Sequence, residues 1–217
     1  MFDIDDTLYL ERDYVRSGFA AAGDWAKGEL GVDDLADRAW AAFLDGERRT
    51  IFDTALAAAT GAPADPAVVA ALVAAYREHM PAIALAADAG PCLDAVAAAG
   101  PVGVVSDGPL ASQRAKAGAL GLDRWAAVVV LTAERGPGWG KPDPRSFALV
   151  QQRLGAAAGD CVYVADNPAK DFAGPRRLGW TTVRVRRPLG LHRDRPAGAD
   201  VDHEIADLSG LAAVLAR

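Results

Sequence analysis

The first nine residues, Met1-Phe2-Asp3-Ile4-Asp5-Asp6-Thr7-Leu8-Tyr9, place two carboxylates and a hydroxyl at a spacing of two. On an extended chain, Asp3, Asp5 and Thr7 share one face. If the chain turns sharply after Asp3, they converge on one point instead. Carboxylates held so close repel unless a cation or a shared proton relieves them. The segment therefore reads as a divalent-metal site, as an acid/nucleophile pair, or as a polar loop after a short strand. Three further clusters carry compatible groups: Ser106-Asp107-Gly108, Lys141 within Gly-Lys-Pro-Asp, and Asp166-Asn167 followed by Asp171. Together they suit phosphoryl transfer. A phosphate ester is dianionic, so an anionic nucleophile needs its charge neutralised before it can approach. Mg²⁺ does this with hard oxygen ligands, commonly one or two carboxylates plus the phosphate. Lys141 offers a point charge to a phosphate oxygen and to the nucleophile. Ser106 offers a hydrogen bond, and the backbone N–H groups of Asp107 and Gly108 offer more at the start of a helix. An aspartate can itself be the nucleophile, giving an aspartyl-phosphate.

The elements that must position these groups follow from apolar patterning. Short apolar runs at 102–105, 127–131, 161–165 and 181–185 alternate with helical segments at 91–99, 110–120, 144–154 and 170–178. Asp207 caps a last helix, 208–216, and the Arg-, Pro- and Gly-rich loop 186–200 is expected to be solvated. Continuous apolar strands alternating with helices predict an α/β fold, with a Rossmann-like parallel sheet covered by helices on both faces. Ligands of such sheets bind beyond the carboxyl ends of the strands, where the polar clusters fall. Only Met1 and Phe2 precede Asp3, whereas a strand is commonly about five residues long. Either the chain's start lies upstream, or the first strand is unusually short.

Residues 11–80 read as four short helices forming a small antiparallel bundle, an all-helical insert after the first strand. Their apolar stripes are Val15, Phe19, Ala22 and Ala26, ended by Gly28 and Gly31; then Ala36, Trp40, Phe43 and Leu44, capped by Asp33 and ended by Gly46; then Phe52, Leu56 and Ala59, stopped by Gly61 and Pro63; and from Pro66 onward Val69, Leu72, Val73 and Tyr76. The expected domains are thus a core of 1–10 and 81–217 and a cap of 11–80.

The 217 residues are 51% hydrophobic, enough for one sizeable core with a smaller insert, and the net charge of -6 argues against nucleic acid as a partner. It leaves room for a small phosphate ester bound by local cations. No apolar run approaches the roughly 18 residues of a membrane span, and no basic signal-peptide start is present, so a soluble cytoplasmic protein is expected. Cys92 and Cys161 lie outside any metal-ligand spacing and read as buried thiols. With only three histidines, His79, His192 and His203, the sequence argues against a zinc site.

The motifs also resemble a known family. Asp3-Ile4-Asp5-Asp6-Thr7 is similar to the DxDxT first motif of the haloacid dehalogenase superfamily. Val104-Val105-Ser106-Asp107-Gly108 resembles its second motif, Lys141 in Gly-Lys-Pro-Asp-Pro its third, and Asp166 through Asp171 its fourth. The helical insert resembles the family's C1 cap. The resemblance implies an Mg²⁺-dependent phosphatase of small phosphorylated metabolites, with Asp3 as nucleophile and Asp5 as general acid/base. It implies Mg²⁺ held by Asp3, the Asp5 carbonyl and Asp166, with Asp171 in support and Thr7 orienting the first loop. Sugar phosphates and nucleoside monophosphates are the leading substrate classes, and the cap acts as lid and specificity filter.

Rival readings are weaker. A phosphate loop needs four residues between its glycines and Ser or Thr after Lys, and Gly136 to Pro142 has neither. A metal-independent 2-haloacid dehalogenase would not need Asp5 or Asp166. A phosphomutase and a non-catalytic phosphate-binding protein share the fold. Arg12, Arg16, Arg48, Arg49, Arg77 and His79 are candidates to touch substrate, Arg48 and Arg49 foremost. Asn167, the single Asn, suits a turn and an approach to the metal equally. Asp6 reads as solvated or loop-capping, His192 and His203 as surface residues, and Arg184, Arg186 and Arg187 as an exposed strand end.

Overall fold

A computed structural model describes residues 1–216, so Arg217, the last residue of the expected core, lies outside the described residues. The chain separates into two compact units, Met1–Arg12 with Ile83–Arg217, and Asp13–Ala82.

The first unit is α/β. Its strands are β1 (Val102–Ser106), β2 (Ala126–Leu131), β3 (Val162–Ala165), β4 (Thr181–Val185) and β5 (His203–Ile205). All pairings are parallel: β1 with β2, β3 with β4, and β4 with β5. β1, buried at every position, is a run of β-branched residues around Gly103, as a strand covered on both faces requires. A side chain at Gly103 would meet Val150, whose atom lies 2.5 Å from the position of an added Cβ.

The two halves of the sheet join through one residue. Phe2 bridges Val104 on one side and Val164 on the other. Phe2 N donates to Gly103 O (2.9 Å) and Phe2 O accepts from Val105 N (3.0 Å). On the other side Met1 O accepts from Val164 N (2.9 Å) and Asp3 N donates to Val164 O (3.0 Å). The order is therefore β2-β1-Phe2-β3-β4-β5, with the expected first strand reduced to its central pairing.

Helices α5 (Ala89–Ala99), α6 (Leu110–Ala119) and α7 (Arg145–Leu154) pack against β1 and β2, and the short α8 (Ala173–Arg177) against β4. The core gathers Val105, Val130, Phe147, Val150, Tyr163, Phe172 and Trp180. Phe147 stands edge-on to Tyr163 (centroids 4.9 Å) and to Trp180 (5.9 Å). Burying each such ring contributes about 1.5–3 kcal/mol, with a further increment from the edge-to-face geometry. The chain closes with a 3₁₀ turn capped by Asp207, which accepts from Ser209 N, and α9 (Leu211–Leu215). No helix among the described residues is long and apolar enough to cross a membrane.

The second unit holds the rest of α1 (Glu11–Leu30), which starts in the first unit, then α2 (Leu35–Leu44), α3 (Ile51–Thr60) and α4 (Pro66–Glu78). Phe19 centres its core, 6.3 Å from Phe43, 5.7 Å from Phe52 and 5.6 Å from Tyr76.

Several sequence expectations need correction. α1 runs through Gly28 and stops only at Gly31, whose φ of 68° ends the helix. Asp34, not Asp33, precedes α2, and Asp33 pairs with Lys27 instead. Leu44 is 56% exposed because Leu35, Ala39 and Phe43 form the buried stripe. His203 was expected at the surface but lies half-buried in edge strand β5, which the sequence did not announce. Cys161 is buried but Cys92 only partly so. Of the three arginines expected at an exposed strand end, only Arg186 is exposed. Arg184 (0%) and Arg187 (6%) are buried, because backbone carbonyls and carboxylates take up their donors.

Candidate active site

Asp3 leaves the sheet between β1 and β3, and the chain turns at once. Leu8 N donates to Ile4 O (3.0 Å) and Thr7 N to the same carbonyl (3.3 Å). Asp3, Asp5 and Thr7 thus do not share an extended face, because the chain turns tightly between Ile4 and Leu8; Asp3 and Asp5 line one cavity, and Thr7 is not among its lining residues. Asp6 takes the left-handed conformation within it, at φ 49°, which Asp tolerates better than most residues. Its carboxylate accepts from Glu11 N (2.9 Å) and Leu191 N (2.7 Å). Asp6 is therefore a buried loop-capping residue rather than a solvated one.

The second strand end brings Ser106, fully buried, whose Oγ has no hydrogen-bond partner among the described residues. Gly108 has φ 148°, and a Cβ there would lie 2.7 Å from Gln113 Nε2, so the close approach demands glycine. The Asp107 carboxylate has another task than phosphate binding. It accepts from Thr132 Oγ1 (2.7 Å) and from Lys141 N (3.1 Å), fixing the loop that carries Lys141.

Lys141 is the centre of the charge arrangement. Its fully buried ammonium lies 2.9 Å from Asp3 Oδ2 and 2.7 Å from Asp171 Oδ1, and donates to the Tyr163 hydroxyl at 3.3 Å. That hydroxyl in turn donates to Val105 O (3.1 Å). Burial alone would drive the lysine toward neutrality; Asp171 and Asp3 reverse this and hold its pKa above the ordinary value. Asp171 also accepts from Asn167 N (2.8 Å), which makes the fourth-motif loop a closed turn. Asn167 is a turn residue here, its side chain accepting from Ala169 N (3.1 Å).

Asp3, Asp166 and Asp171 each bring one oxygen to within 4.8 Å of the others, all three buried. One ammonium among three carboxylates leaves negative charge in excess. Burial, with Asp171 adding to it, raises Asp3 to about 6 against the opposing pull of Lys141. Burial and the neighbouring Asp171, Asp6 and Asp3 raise Asp166 to about 9. Asp3 Oδ1 is buried with no hydrogen-bond partner among the described residues. An all-oxygen carboxylate set with surplus negative charge and an unengaged buried oxygen suits a small hard cation. Asp5 contributes no carboxylate to this set.

The Asp5 carboxylate is instead clamped from α6. Lys116 Nζ lies 2.7 Å from its Oδ1, Gln113 Nε2 donates to its Oδ2 (2.8 Å), and the Tyr9 hydroxyl donates to it as well. Burial pushes Asp5 up, but the Lys116 charge and these hydrogen bonds more than offset it and hold the carboxyl below its usual range. Gln113 also donates to Asp107 O, tying the clamp to the second motif. Asp3, Asp5, Asp107, Gly108, Asp166 and Asn167 line a cavity of about 130 Å³.

Sequence reasoning passed over Gln113, Lys116, Glu11 and Lys170, and placed His192 on the surface; all five line this cavity. His192 is half-buried, and its pKa is lowered by burial and the nearby Arg195. One signal was available: Gln113 and Lys116 are three apart on a helix that starts at the second motif, so they share a face. Thr7 and Asp88 are joined by Arg187, which donates to Thr7 O (2.8 and 2.6 Å) and to both Asp88 oxygens (3.0 and 3.1 Å).

Three of the substrate-contact candidates in the helical unit, His79, Arg48 and Arg16, are engaged within it. His79 makes hydrogen bonds to Tyr76 O (2.6 Å) and Ser17 Oγ (3.0 Å). Arg48 lies over the Phe43 ring (4.1 Å) and Arg16 over Trp40 (5.4 Å). Arg49 is exposed.

Residues 1–179 match the haloacid dehalogenase-like hydrolase family. The chain is 30% identical, over 93% of its length and 88% of the relative's, to a glyceraldehyde 3-phosphate phosphatase of Methanopyrus kandleri. It is 38% identical to a phosphoserine phosphatase of Thermus thermophilus, over 44% of this chain and 36% of that one. Its fold superposes on a 2-haloacid dehalogenase from Pseudomonas syringae pv. tomato with a TM-score of 0.65 and 27% identity, covering 100% of this chain and 96% of that one. Motifs, geometry and likeness agree, and the chain belongs to the haloacid dehalogenase-like hydrolases.

Proposed function

We propose that this chain, a phosphoric monoester hydrolase of that family, is an Mg²⁺-dependent phosphatase of small phosphorylated metabolites, acting through an aspartyl-phosphate on Asp3. The observation that carries the reading is Lys141, buried between Asp3 and Asp171 beside Asp166. Asp5 first takes up a proton from solvent as the dianionic substrate enters; an oxygen of Asp3 then attacks phosphorus while the bond to the ester oxygen breaks, and Asp5 passes that proton to the leaving alkoxide. In the second, water attacks the phosphorus and gives its proton to Asp5. The Asp3–phosphorus bond then breaks, freeing phosphate and the Asp3 carboxylate. Asp5 rests as a carboxylate in its clamp, which suits the second step directly. Lys141 and the Ser106 hydroxyl stabilise charge on the phosphoryl oxygens. Asp3, Asp166 and the Asp5 carbonyl would hold Mg²⁺, with Asp171 behind them, and the ion would neutralise phosphate charge.

A sugar phosphate of about three carbons is the preferred substrate class, supported by the Methanopyrus kandleri relative, whose likeness runs through both units. The helical unit Asp13–Ala82 is read as the cap that selects it. The likeness to a 2-haloacid dehalogenase favours a second reading, metal-free attack on carbon. It leaves Asp5 and Asp166 without a task. Phosphate release from glyceraldehyde 3-phosphate, phosphoserine and nucleoside monophosphates, with and without EDTA, separates the two. Release that EDTA abolishes supports the phosphatase. Halide release from 2-haloacids that EDTA leaves unchanged would replace it with the dehalogenase.

A further inference from the structure

We propose that Arg184, buried behind the site, is a positioning residue that sets the affinity of the site for its cation; this rests on the Mg²⁺-dependent reading above. Arg184 stands in β4 between Ala165 of β3 and Glu204 of β5, one row across three parallel strands. Ala165 immediately precedes Asp166 at the strand's carboxyl end. From that row the guanidinium reaches forward. Nε donates to Asp166 O (3.1 Å), Nη2 to His192 O (2.7 Å) and Nη1 to Arg195 O (2.8 Å), while Nη1 also pairs with Glu204 Oε2 (3.0 Å).

A fully buried guanidinium is costly unless most of its donors are used. Here four bonds use all three nitrogens, two of them on residues lining the site cavity, Asp166 and His192. The planar fork fixes these bonds relative to one another, which an ammonium on a flexible stem cannot do. The bond to Asp166 falls on its backbone carbonyl, leaving the carboxylate in the cluster with Asp3 and Asp171. Arg184 therefore orients a ligand-bearing loop from behind, as outer-shell partners of metal ligands do. Arg186, two residues on, is the natural contrast. It donates to Arg193 O (3.1 Å) and pairs with Glu204 Oε1 (3.0 Å), so it braces the same loop without touching the Asp166 turn.

The test is Mg²⁺ binding to the full chain by isothermal titration calorimetry, with folding followed by circular dichroism. Arg184→Lys is expected to weaken Mg²⁺ about 10–100-fold, and Arg186→Ala to leave it within about twofold. A folded Arg184→Lys protein that binds Mg²⁺ as the parent does overturns the proposal, whatever its melting temperature. So does an Arg186→Ala protein weakened as much as Arg184→Lys, since that would reduce the effect to general loosening of the loop. If Arg184→Lys does not fold, Glu204→Gln keeps the guanidinium and removes its counter-charge. A severalfold loss of Mg²⁺ affinity there supports the proposal, and no change overturns it. A parent that binds no Mg²⁺ fails the functional reading itself, a result distinct from equal binding by parent and variant.

Discussion

Replacing Lys141 by methionine isolates the electrostatic problem the site must solve. The side-chain volume is nearly kept, so packing against Tyr163 changes little. What is lost is the only ammonium within 3 Å of Asp3 and Asp171 among the described residues. Three buried carboxylates then face one another without it. Removing one partner of a buried ion pair typically costs about 3–5 kcal/mol, because the other charge stays buried and uncompensated. Whole domains are stable by only about 5–15 kcal/mol, so the variant should be marginal without metal. The deficit has a direction in pH. Asp3 and Asp166 are raised from 3.8 to about 6 and about 9 even beside Lys141. A carboxyl raised in the fold contributes stability that is full below its unfolded value and lost as pH rises through the folded one. Without the lysine these groups rise further, so the deficit should be larger at pH 8 than at pH 6. Added Mg²⁺ should narrow it, since the more negative cluster binds the cation more tightly; each tenfold gain in affinity returns about 1.4 kcal/mol. Urea denaturation of parent and variant at both pH values, with Mg²⁺ and with EDTA, measures all three effects. A deficit below about 1 kcal/mol at pH 8 in EDTA, or one that ignores pH, would refute the account of Lys141 as the neutralising charge.

Asp3→Asn should abolish turnover while leaving the circular dichroism spectrum unchanged; residual phosphatase activity at the parent's rate would remove Asp3 as nucleophile. Lys116→Met, which opens the clamp on Asp5 from α6, should lower kcat about 10²-fold with little change in KM, because the interaction serves proton transfer rather than binding. A change confined to KM would place Lys116 in substrate binding instead. Phe147→Ala removes a fully buried ring between Tyr163 and Trp180 and should cost about 3–5 kcal/mol, read as a shift in urea midpoint; a loss below about 1 kcal/mol would mean the site's floor packs differently.

The strands and their terminal clusters were legible because both signals are local. Apolar runs such as Val102–Ser106 announce buried strands, and chirality and parallel pairing place their ends on one rim. What stayed hidden depends on which distant segments become neighbours. Arg184 and Arg187 read locally as exposed because charged residues at a strand end usually are. Their burial follows from Glu204, Asp88 and the Thr7 and Asp166 carbonyls, none of them near in sequence. Asp107 reads locally as a phosphate-side residue, yet its carboxylate serves the Lys141 backbone 34 positions on. Asp6 likewise appears free to be solvated until Leu191 N reaches it across 185 positions. The sequence holds these partners, but only the completed sheet order brings them together.

The segment that carries Asp3 is paired on both sides. Phe2 sits at the centre of the sheet, and its segment is bonded to β1 and β3 alike by four backbone hydrogen bonds. At about 0.5–1.5 kcal/mol each, those bonds supply roughly 2–6 kcal/mol. The Phe2 and Ile4 side chains, both essentially buried, fix the segment's rotation. Beyond Asp3 the chain is gripped again, by Arg187 on the Thr7 carbonyl and by Leu191 and Glu11 on the Asp6 carboxylate. Asp3 is thus held between a two-sided backbone ladder and a buried guanidinium. Its precision comes from its neighbours in space, which deliver the carboxylate to Lys141.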